Sequence, residues 1–150
     1  FANTISVVEV TGQQILDALE MGAREWPEEN GGFLQVSGMS YEIDTQIPSS
    51  VKTDDTGAFI GVEGEYRVKN VKISGRDLET EKKYVLSATD YILRDCGDGY
   101  TMFTEAKRIN ESFILDSEAV IEYVSNGLNG HIGKEYEDPY GEGRIIETGE

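Results

Sequence analysis

The stretch Cys96-Gly97-Asp98-Gly99-Tyr100 is an acidic turn between two segments that have the pattern of a folded core. Before it, Lys83-Tyr84-Val85-Leu86-Ser87-Ala88-Thr89 alternates in polarity and is rich in β-branched side chains, which predicts a strand. After it, Thr101-Met102-Phe103 is apolar enough to re-enter the core. Two glycines around one aspartate allow positive φ on both sides and direct the carboxylate outward. Such a turn can present one acceptor to a polyhydroxylated ligand, although an ordinary tight turn has the same pattern.

The N-terminal part of the chain has the pattern of a strand followed by a helix. Residues 4–10 alternate and are rich in β-branched side chains, which predicts a strand. Thr11 is followed three residues later by Gln14, and this capping-box pattern predicts the start of a helix. The helix must end before Pro27, because proline cannot continue its hydrogen bonds.

The middle of the chain has three features. Residues 33–37 and 39–43 predict two short strands that are interrupted at Gly38. Residues 44–57 are rich in turn-forming side chains and predict a long, variable loop. Residues 66–73 alternate almost perfectly, which predicts a strand with one face in water.

The C-terminal part predicts one more helix and a closing strand. Asp116 or Ser117 is the predicted N-cap of a helix that ends near Gly127. Residues 144–146 predict the strand. Because strands and helices follow one another without a regular β-α-β order, we expect one α+β domain over residues 1–150, with a mixed β-sheet flanked by helices.

The composition is that of a globular domain with a strongly acidic surface. Of 150 residues, 38% are hydrophobic, and 29 acidic against 13 basic side chains give a net charge of −16. This length is enough for one sizeable core. So acidic a surface repels phosphate backbones and anionic lipid, which argues against nucleic-acid polymers and membrane surfaces as partners. No stretch reaches the roughly 20 apolar residues of a membrane span, and the single cysteine, Cys96, excludes an internal disulfide.

Residue types that carry common catalytic chemistry are scarce. His131 is the single histidine and lies in a glycine-flanked loop, so a zinc site of the usual composition is excluded. A Ser-His-Asp or Cys-His site would need the same histidine, and the chain has no Walker A, dinucleotide-binding or EF-hand motif. We interpret the acidic pairs Glu28-Glu29 and Asp54-Asp55 as solvated loop residues. The sequence therefore predicts no catalytic and no metal-binding residue in this chain.

Two aromatic residues lie close to turns. Phe33 follows two glycines, and Tyr91 precedes the turn that contains Asp98. An aromatic ring beside a flexible loop can stack on a planar ligand. Gln35 lies on the same side of its predicted strand as Phe33 and could contact the edge of a heterocycle. The alternative, that both rings belong to the core, stays open at this point.

Six short motifs occur along the chain, each of them weak alone. They are Phe1-Ala2-Asn3-Thr4, residues 10–20, residues 31–38, residues 83–86 continuing to Thr89-Asp90-Tyr91, Gly97-Asp98-Gly99-Tyr100, and Gly143-Arg144-Ile145. In this order they resemble the C-terminal domain of the 5′-nucleotidase family, which includes bacterial cyclic-nucleotide phosphodiesterases and UDP-sugar hydrolases. The resemblance spans nearly the whole chain.

The resemblance implies a two-domain enzyme whose C-terminal domain supplies the substrate-specificity pocket, while an N-terminal metallophosphatase domain holds two divalent metal ions. It implies that Phe33 and Tyr91 sandwich a base and that Asp98 hydrogen-bonds the nucleoside sugar. Gln35 matches a position near the base. The substrate-binding residues implied in this way are Phe33, Gln35, Tyr91, Gly97, Asp98 and Gly99.

The chain departs from the family pattern at two places. Cys96 stands where the family usually has the first of two glycines, and the stretch from Tyr91 to Asp98 is slightly longer. We also expect a glycine-rich segment with a substrate-binding arginine, and the metal domain, to lie upstream of Phe1. The chain is thus interpreted as an N-terminally truncated fragment of a longer protein.

We therefore expect the nucleoside- or nucleotide-recognition domain of a bacterial nucleotide phosphohydrolase that is secreted, periplasmic or attached to the cell surface. Its expected partners are a nucleoside or nucleotide and the N-terminal metallophosphatase domain. Alone it should be inactive, because two-metal hydrolysis needs ligands that this chain lacks. Two alternatives stay open: a non-enzymatic carbohydrate- or protein-binding surface module, and a folded remnant that pairs an exposed sheet edge with a second copy.

Overall fold

Three small β-sheets surround one central helix in this protein. A computed structural model describes residues 2–110, 113–138 and 141–149. The helices in these ranges are α1 (Gly12–Gly22), α2 (Asp90–Leu93) and α3 (Asp116–Glu122). The strands are β1 (Ile5–Thr11), β2 (Met39–Asp44), β3 (Val51–Thr53), β4 (Phe59–Val62), β5 (Val68–Ile73), β6 (Arg76–Asp77), β7 (Lys83–Thr89), β8 (Lys107–Asn110) and β9 (Ile145–Thr148).

The sheets combine antiparallel and parallel pairing. In the first sheet β1 lies between β7 and β8 and is antiparallel to both, with Ile5 opposite Thr89 and Thr11 opposite Lys83. The second sheet has the order β6-β5-β2-β9, in which β9 alone runs parallel to its neighbour. The third is the β3–β4 hairpin. This is the predicted α+β domain with mixed pairing.

The core forms where α1 packs between the sheets. This helix contacts β1, β4 and β5. None of its residues is exposed, and the buried ones include Ile15, Ala18 and Met21, as expected for a helix that lies between sheets. The buried residues of the core include Val8, Val10, Ile15, Leu19, Met21, Tyr41, Ile43, Val68, Tyr100 and Phe103.

The capping box at the start of α1 is confirmed. The Thr11 hydroxyl accepts from the backbone N–H of Gln14 at 3.2 Å, and the Gln14 side-chain oxygen accepts from the backbone N–H of Thr11 at 2.8 Å. These bonds satisfy two amides that have no partner inside the helix. At its other end α1 continues into a 3-10 turn, Ala23–Glu25, and the helical path stops before Pro27, as predicted.

The prediction of a strand at residues 33–37 is wrong. These residues form no regular element, and the ladder begins only at β2, after Gly38 with its φ of +73°. Leu34 and Val36 pack against the core from this unpaired segment. The pattern of apolar residues therefore reflects contact of these side chains with the core, and not pairing in a sheet.

Two further elements differ from the prediction. Residues 44–57 are not one loop, since they contain β3, which pairs with the unpredicted strand β4. The side chain of Asp54 closes this hairpin by accepting from the backbone N–H groups of Thr56 and Ala58 at 2.8 and 3.0 Å. The edge strand β8 was also not predicted, because its sequence is largely polar.

The C-terminal predictions are confirmed except for the cap. The helix begins with α3 and ends with a π-helical turn, Tyr123–Gly127, and β9 closes the second sheet. The N-cap is Leu115 rather than Asp116 or Ser117. The carboxylate of Glu118 accepts from the Leu115 backbone N–H at 3.2 Å and takes over the role of a capping side chain.

Candidate functional site

The turn that contains Asp98 is built on left-handed backbone. Cys96, Asp98 and Gly99 have φ values of +54°, +53° and +85°. The prediction that both glycines adopt positive φ is therefore wrong for Gly97. Asparagine and aspartate tolerate this conformation better than most residues, which suits Asp98. At Cys96 the family's glycine would be less strained, since it has no side chain to clash.

Gly97 is required for a different reason, which is the ring of Tyr91. A Cβ atom at Gly97 would lie 2.3 Å from two carbons of that ring, far inside van der Waals contact. The Tyr91 hydroxyl donates to Oδ1 of Asp98 at 3.0 Å. Among the described residues, no donor contacts the second carboxylate oxygen, Oδ2. The turn thus presents one acceptor atom, and Tyr91 fixes its orientation.

Tyr91 is held in place by the residue before it. The carboxylate of Asp90 accepts from the backbone N–H and the hydroxyl of Thr4, at 3.0 and 2.8 Å. Its Oδ2 also lies 3.2 Å from the guanidinium of Arg94. Burial alone would raise the pKa of the Asp90 carboxyl, but the bonds from Thr4 and the charge of Arg94 lower it overall. Asp90 therefore ties α2, and with it Tyr91, to the start of β1.

The loop before Phe33 touches the Asp98 turn directly. A Cβ atom at Gly32 would lie 3.0 Å from Cβ of Asp98, so a larger residue would require the Asp98 side chain to shift by a few tenths of an ångström. The hydroxyl of the fully buried Tyr100 donates to the Gly32 carbonyl. Tyr100 follows the turn in the sequence. The core side chain thus joins two segments that are far apart along the chain.

Phe33 forms the side of a hollow of about 430 Å³, called here the Phe33 hollow. Its ring packs against Trp26 with the two centroids 5.3 Å apart and the planes inclined by 36°. The backbone N–H of Phe33 donates to the Asn30 carbonyl at 2.9 Å. Gln35 is exposed in the same hollow, together with Glu28 and Glu29. Phe33 and Gln35 therefore line the same hollow, although they do not lie on a strand.

Asp98 belongs to a neighbouring hollow of about 390 Å³, the Asp98 hollow. Gly99 also lines it, and a Cβ there would lie 2.3 Å from the Gly57 carbonyl, so the β3–β4 hairpin is seated against the turn. Asn30 lines both hollows, which therefore adjoin at this residue. The tip of the β3–β4 hairpin, the turn that contains Asp98 and the 3-10 turn after α1 meet here. The other lining residues are Arg24, Thr56, Ala58 and Cys96.

The arrangement separates the two aromatic residues. Phe33 is half-buried, whereas Tyr91 is 41% exposed and is not a core residue. Tyr91 lines neither the Phe33 hollow nor the Asp98 hollow, because its ring covers Gly97. The sequence reasoning assigned no site role to Trp26, Asn30 or the Thr56 turn. An aromatic residue at a helix end and an asparagine before two glycines were the available signals.

The described residues do not assemble a metal centre. Over residues 2–110, 113–138 and 141–149, no three His, Cys, Asp or Glu side chains are grouped so that they could hold a metal ion. Within those same ranges, no helix has the length and apolar character to cross a bilayer. The two hollows offer ring faces, amides, three carboxylates and one guanidinium, which suit a small polar ligand with a planar part.

Comparison with known proteins gives this site a context. Residues 1–105 match the family described as the 5′-nucleotidase C-terminal domain. A cell wall protein of Listeria monocytogenes is 30% identical over 127 residues, which are 84% of this chain and 14% of that protein. A trifunctional nucleotide phosphoesterase of Bacillus subtilis is 28% identical over 99% of this chain and 9% of its own length.

A solved structure agrees with both the sequence match and the fold. The 5′-nucleotidase precursor of Thermus thermophilus superposes with a TM-score of 0.76 and 28% identity, over 99% of this chain and 26% of that protein. The chain therefore spans about a quarter or less of the length of these relatives. The order of motifs, the α+β fold and these matches lead to one conclusion: the chain belongs to the 5′-nucleotidase C-terminal domain family.

Proposed function

We propose that this chain is the nucleoside-recognition domain of a metal-dependent nucleotide phosphohydrolase. One observation carries the proposal: the half-buried ring of Phe33 lies beside a turn whose carboxylate has one oxygen without a protein donor among the described residues. A planar group and a hydroxyl-bearing group that are joined to each other would occupy the two adjoining hollows. A nucleoside has this composition.

Each residue has a distinct part in the proposed binding mode. The base stacks on Phe33, with the exposed amide of Gln35 at its edge, where it can both donate and accept. A sugar hydroxyl donates to Oδ2 of Asp98. Tyr91 acts indirectly, by orienting that carboxylate through Oδ1. Gly97 and Gly99 allow the close approaches on which this geometry depends.

The charges around the hollows indicate in which direction the phosphate of a bound nucleotide points. Glu28 and Glu29 line the Phe33 hollow, and the Asp98 hollow contains a further carboxylate. These charges repel an anion, while the one lining guanidinium, on Arg24, is already 3.4 Å from the carboxylate of Glu25. The phosphate of a bound nucleotide therefore points away from this domain, toward the rest of the parent enzyme.

Hydrolysis is proposed to need a second domain. Two divalent metal ions in an N-terminal metallophosphatase domain would activate water and polarise the phosphate. The residues described here bind and orient the nucleoside part, so the chain alone has no turnover. An assay of the isolated chain with nucleotides and added Mg²⁺, Mn²⁺ or Zn²⁺ tests this point, and metal-dependent release of phosphate would refute it.

An extracytoplasmic location is also part of the proposal. A cell wall protein and a 5′-nucleotidase precursor are among the similar proteins. Secretion of the parent enzyme would let it act on extracellular nucleotides. Localisation of a tagged full-length protein to the culture medium, cell wall or periplasm would support this, and a purely cytoplasmic pool would contradict it.

The binding proposal is tested by two-dimensional NMR titration of the chain with adenosine, uridine and cytidine. Saturable shifts are expected for residues around both hollows, with Kd values in the millimolar range or tighter, since stacking contributes roughly 1–3 kcal/mol per base. Phe33→Ala and Tyr91→Ala should weaken or abolish the shifts. Tyr136→Ala is the control, because Tyr136 is exposed, lines neither hollow and, unlike Tyr91, is bonded to Tyr123 rather than to Asp98. Absence of shifts with all three nucleosides would overturn the proposal.

A further inference from the structure

Trp26 packs beside Phe33, although it belongs to none of the motifs that predict a binding site. We propose that Trp26 is a positioning residue for the Phe33 hollow: it sets the orientation of the Phe33 ring and is itself anchored by the buried Arg67. This inference rests on the proposed function, because it concerns how the same hollow recognises a planar ligand.

The contact between the rings is direct. Trp26 and Phe33 have centroids 5.3 Å apart at an angle of 36°, which is within the range of favourable aromatic pairs. Both rings line the Phe33 hollow. Among the described residues, the backbone bond given for Phe33 is from its N–H to the Asn30 carbonyl, so side-chain packing decides the direction of the ring. One side of that packing is the core and the other is Trp26, which therefore limits the face of Phe33 that is available to a ligand.

Trp26 is held from the interior of the protein. Nη1 of Arg67 donates to the carbonyls of Trp26 and Ala23, at 2.8 and 3.2 Å. The backbone N–H of Trp26 also donates to the Ala23 carbonyl, at 3.0 Å. These are carbonyls at the end of a helical segment, where partial negative charge accumulates, so a cation is stabilised there. Arg67 is only 4% exposed, which makes this an anchor within the core.

The anchor continues into the last turn of α1. The backbone N–H groups of Arg67 and Val68 donate to the two carboxylate oxygens of Glu20, at 3.0 and 2.9 Å, and Glu20 is fully buried. The positive charge of Arg67 also favours the ionised form of that carboxylate. A buried acid, a buried base and an aromatic residue thus form one connected path from the helix to Phe33. A displacement of Arg67 would be transmitted to the ring pair.

The indole ring acts through its shape rather than through its N–H. Nε1 of Trp26 is buried and, in the part of the chain that the structure describes, has no hydrogen-bond partner. A phenyl ring at this position would keep most of the packing against Phe33 without that orphan donor. Trp26→Phe is therefore a matched control for Trp26→Ala, which removes the ring altogether.

The test is a titration of the chain with adenosine, measured by NMR for the wild type, Trp26→Ala and Trp26→Phe. Loss of one aromatic pair should weaken adenosine binding about three- to tenfold in Trp26→Ala, while Trp26→Phe retains wild-type affinity. Leu78→Ala removes another partly buried side chain from the core, away from both hollows, and should leave affinity unchanged. Trp26 is the single tryptophan, so its fluorescence gives a second readout. Emission should change on addition of adenosine in the wild type and not in Phe33→Ala.

The outcomes distinguish a failure of the inference about Trp26 from a failure of the proposed function. If the wild type binds adenosine and Trp26→Ala binds it equally well, the inference is overturned while the proposed function stands. The inference also fails if Trp26→Phe loses as much affinity as Trp26→Ala, or if Leu78→Ala loses as much as either. If the wild type itself shows no binding, the proposed function fails and the inference falls with it.

Discussion

The contact between Gly97 and Tyr91 can be tested by substitution. Gly97 does not have positive φ, so alanine is compatible with its backbone. The three heavy atoms nearest to a Cβ there all belong to the Tyr91 ring, at 2.3 to 2.5 Å. Overpacking of this kind costs typically about 1–3 kcal/mol. Because Tyr91 is 41% exposed and can swing outward, we expect Gly97→Ala to cost about 1–2 kcal/mol, including the lost hydrogen bond to Asp98.

The assay is a double-mutant cycle in chemical denaturation. In a Tyr91→Ala background the obstacle is gone, so Gly97→Ala should cost almost nothing and the coupling should be about 1–2 kcal/mol. Gly99→Ala is the matched control. Its φ of +85° and the Gly57 carbonyl at 2.3 Å make it unfavourable in both backgrounds. If Gly97→Ala costs the same with and without Tyr91, the described packing of the ring on the turn is incorrect.

Two carboxylates should give opposite dependence of stability on pH. The pKa of Asp90 is lowered below its ordinary 3.8, so its stabilising contribution is present above pH 3.8 and is lost as pH falls through the folded-state pKa. Asp90→Asn should cost about 1–3 kcal/mol at pH 7, and that cost should shrink in acid; a pH-independent cost would contradict the assignment. Burial raises the pKa of Glu20 above its ordinary 4.5, against opposing bonds from Arg67 and Val68. Its contribution is therefore greatest at or below pH 4.5 and falls as pH rises through the raised pKa. Denaturation curves of Glu20→Gln should lack this fall, and an unchanged pH profile would show that another group causes it.

Elements that are determined by neighbouring residues, such as a capped helix or an alternating strand, were predicted from the sequence. The Thr11 capping box lies within four consecutive residues, and both of its hydrogen bonds form. Strand β7 was predicted from its alternation, and β1 pairs with it along its full length. The hairpin of β3 and β4 was missed, because these short strands depend on distant contacts. One of them is the bond from the Thr101 hydroxyl to the Phe59 carbonyl.

The candidate site was predicted in its residues but not in its assembly. Phe33 and Asp98 were identified through the resemblance to a family. Their approach depends on Gly32 lying against Asp98 and on the buried Tyr100 that joins them. No spacing in the sequence encodes that contact, since it is made by the tertiary fold. The roles of Trp26 and Arg67 were not predicted, for the same reason. Arg67 falls within the predicted strand 66–73 but lies just before β5, and its side chain is buried rather than on the face expected in water.

The central claim is that two adjoining hollows recognise the two parts of a nucleoside. The most direct measurement compares the Kd of adenosine with that of free adenine for the wild type, Phe33→Ala and Asp98→Ala. Phe33→Ala should weaken both ligands, by about five- to a hundredfold for the loss of one stacking face. Asp98→Ala should weaken adenosine and leave adenine unchanged, since only the sugar contacts that carboxylate. Equal losses for adenine and adenosine in Asp98→Ala, or unchanged binding of both in Phe33→Ala, would contradict the account.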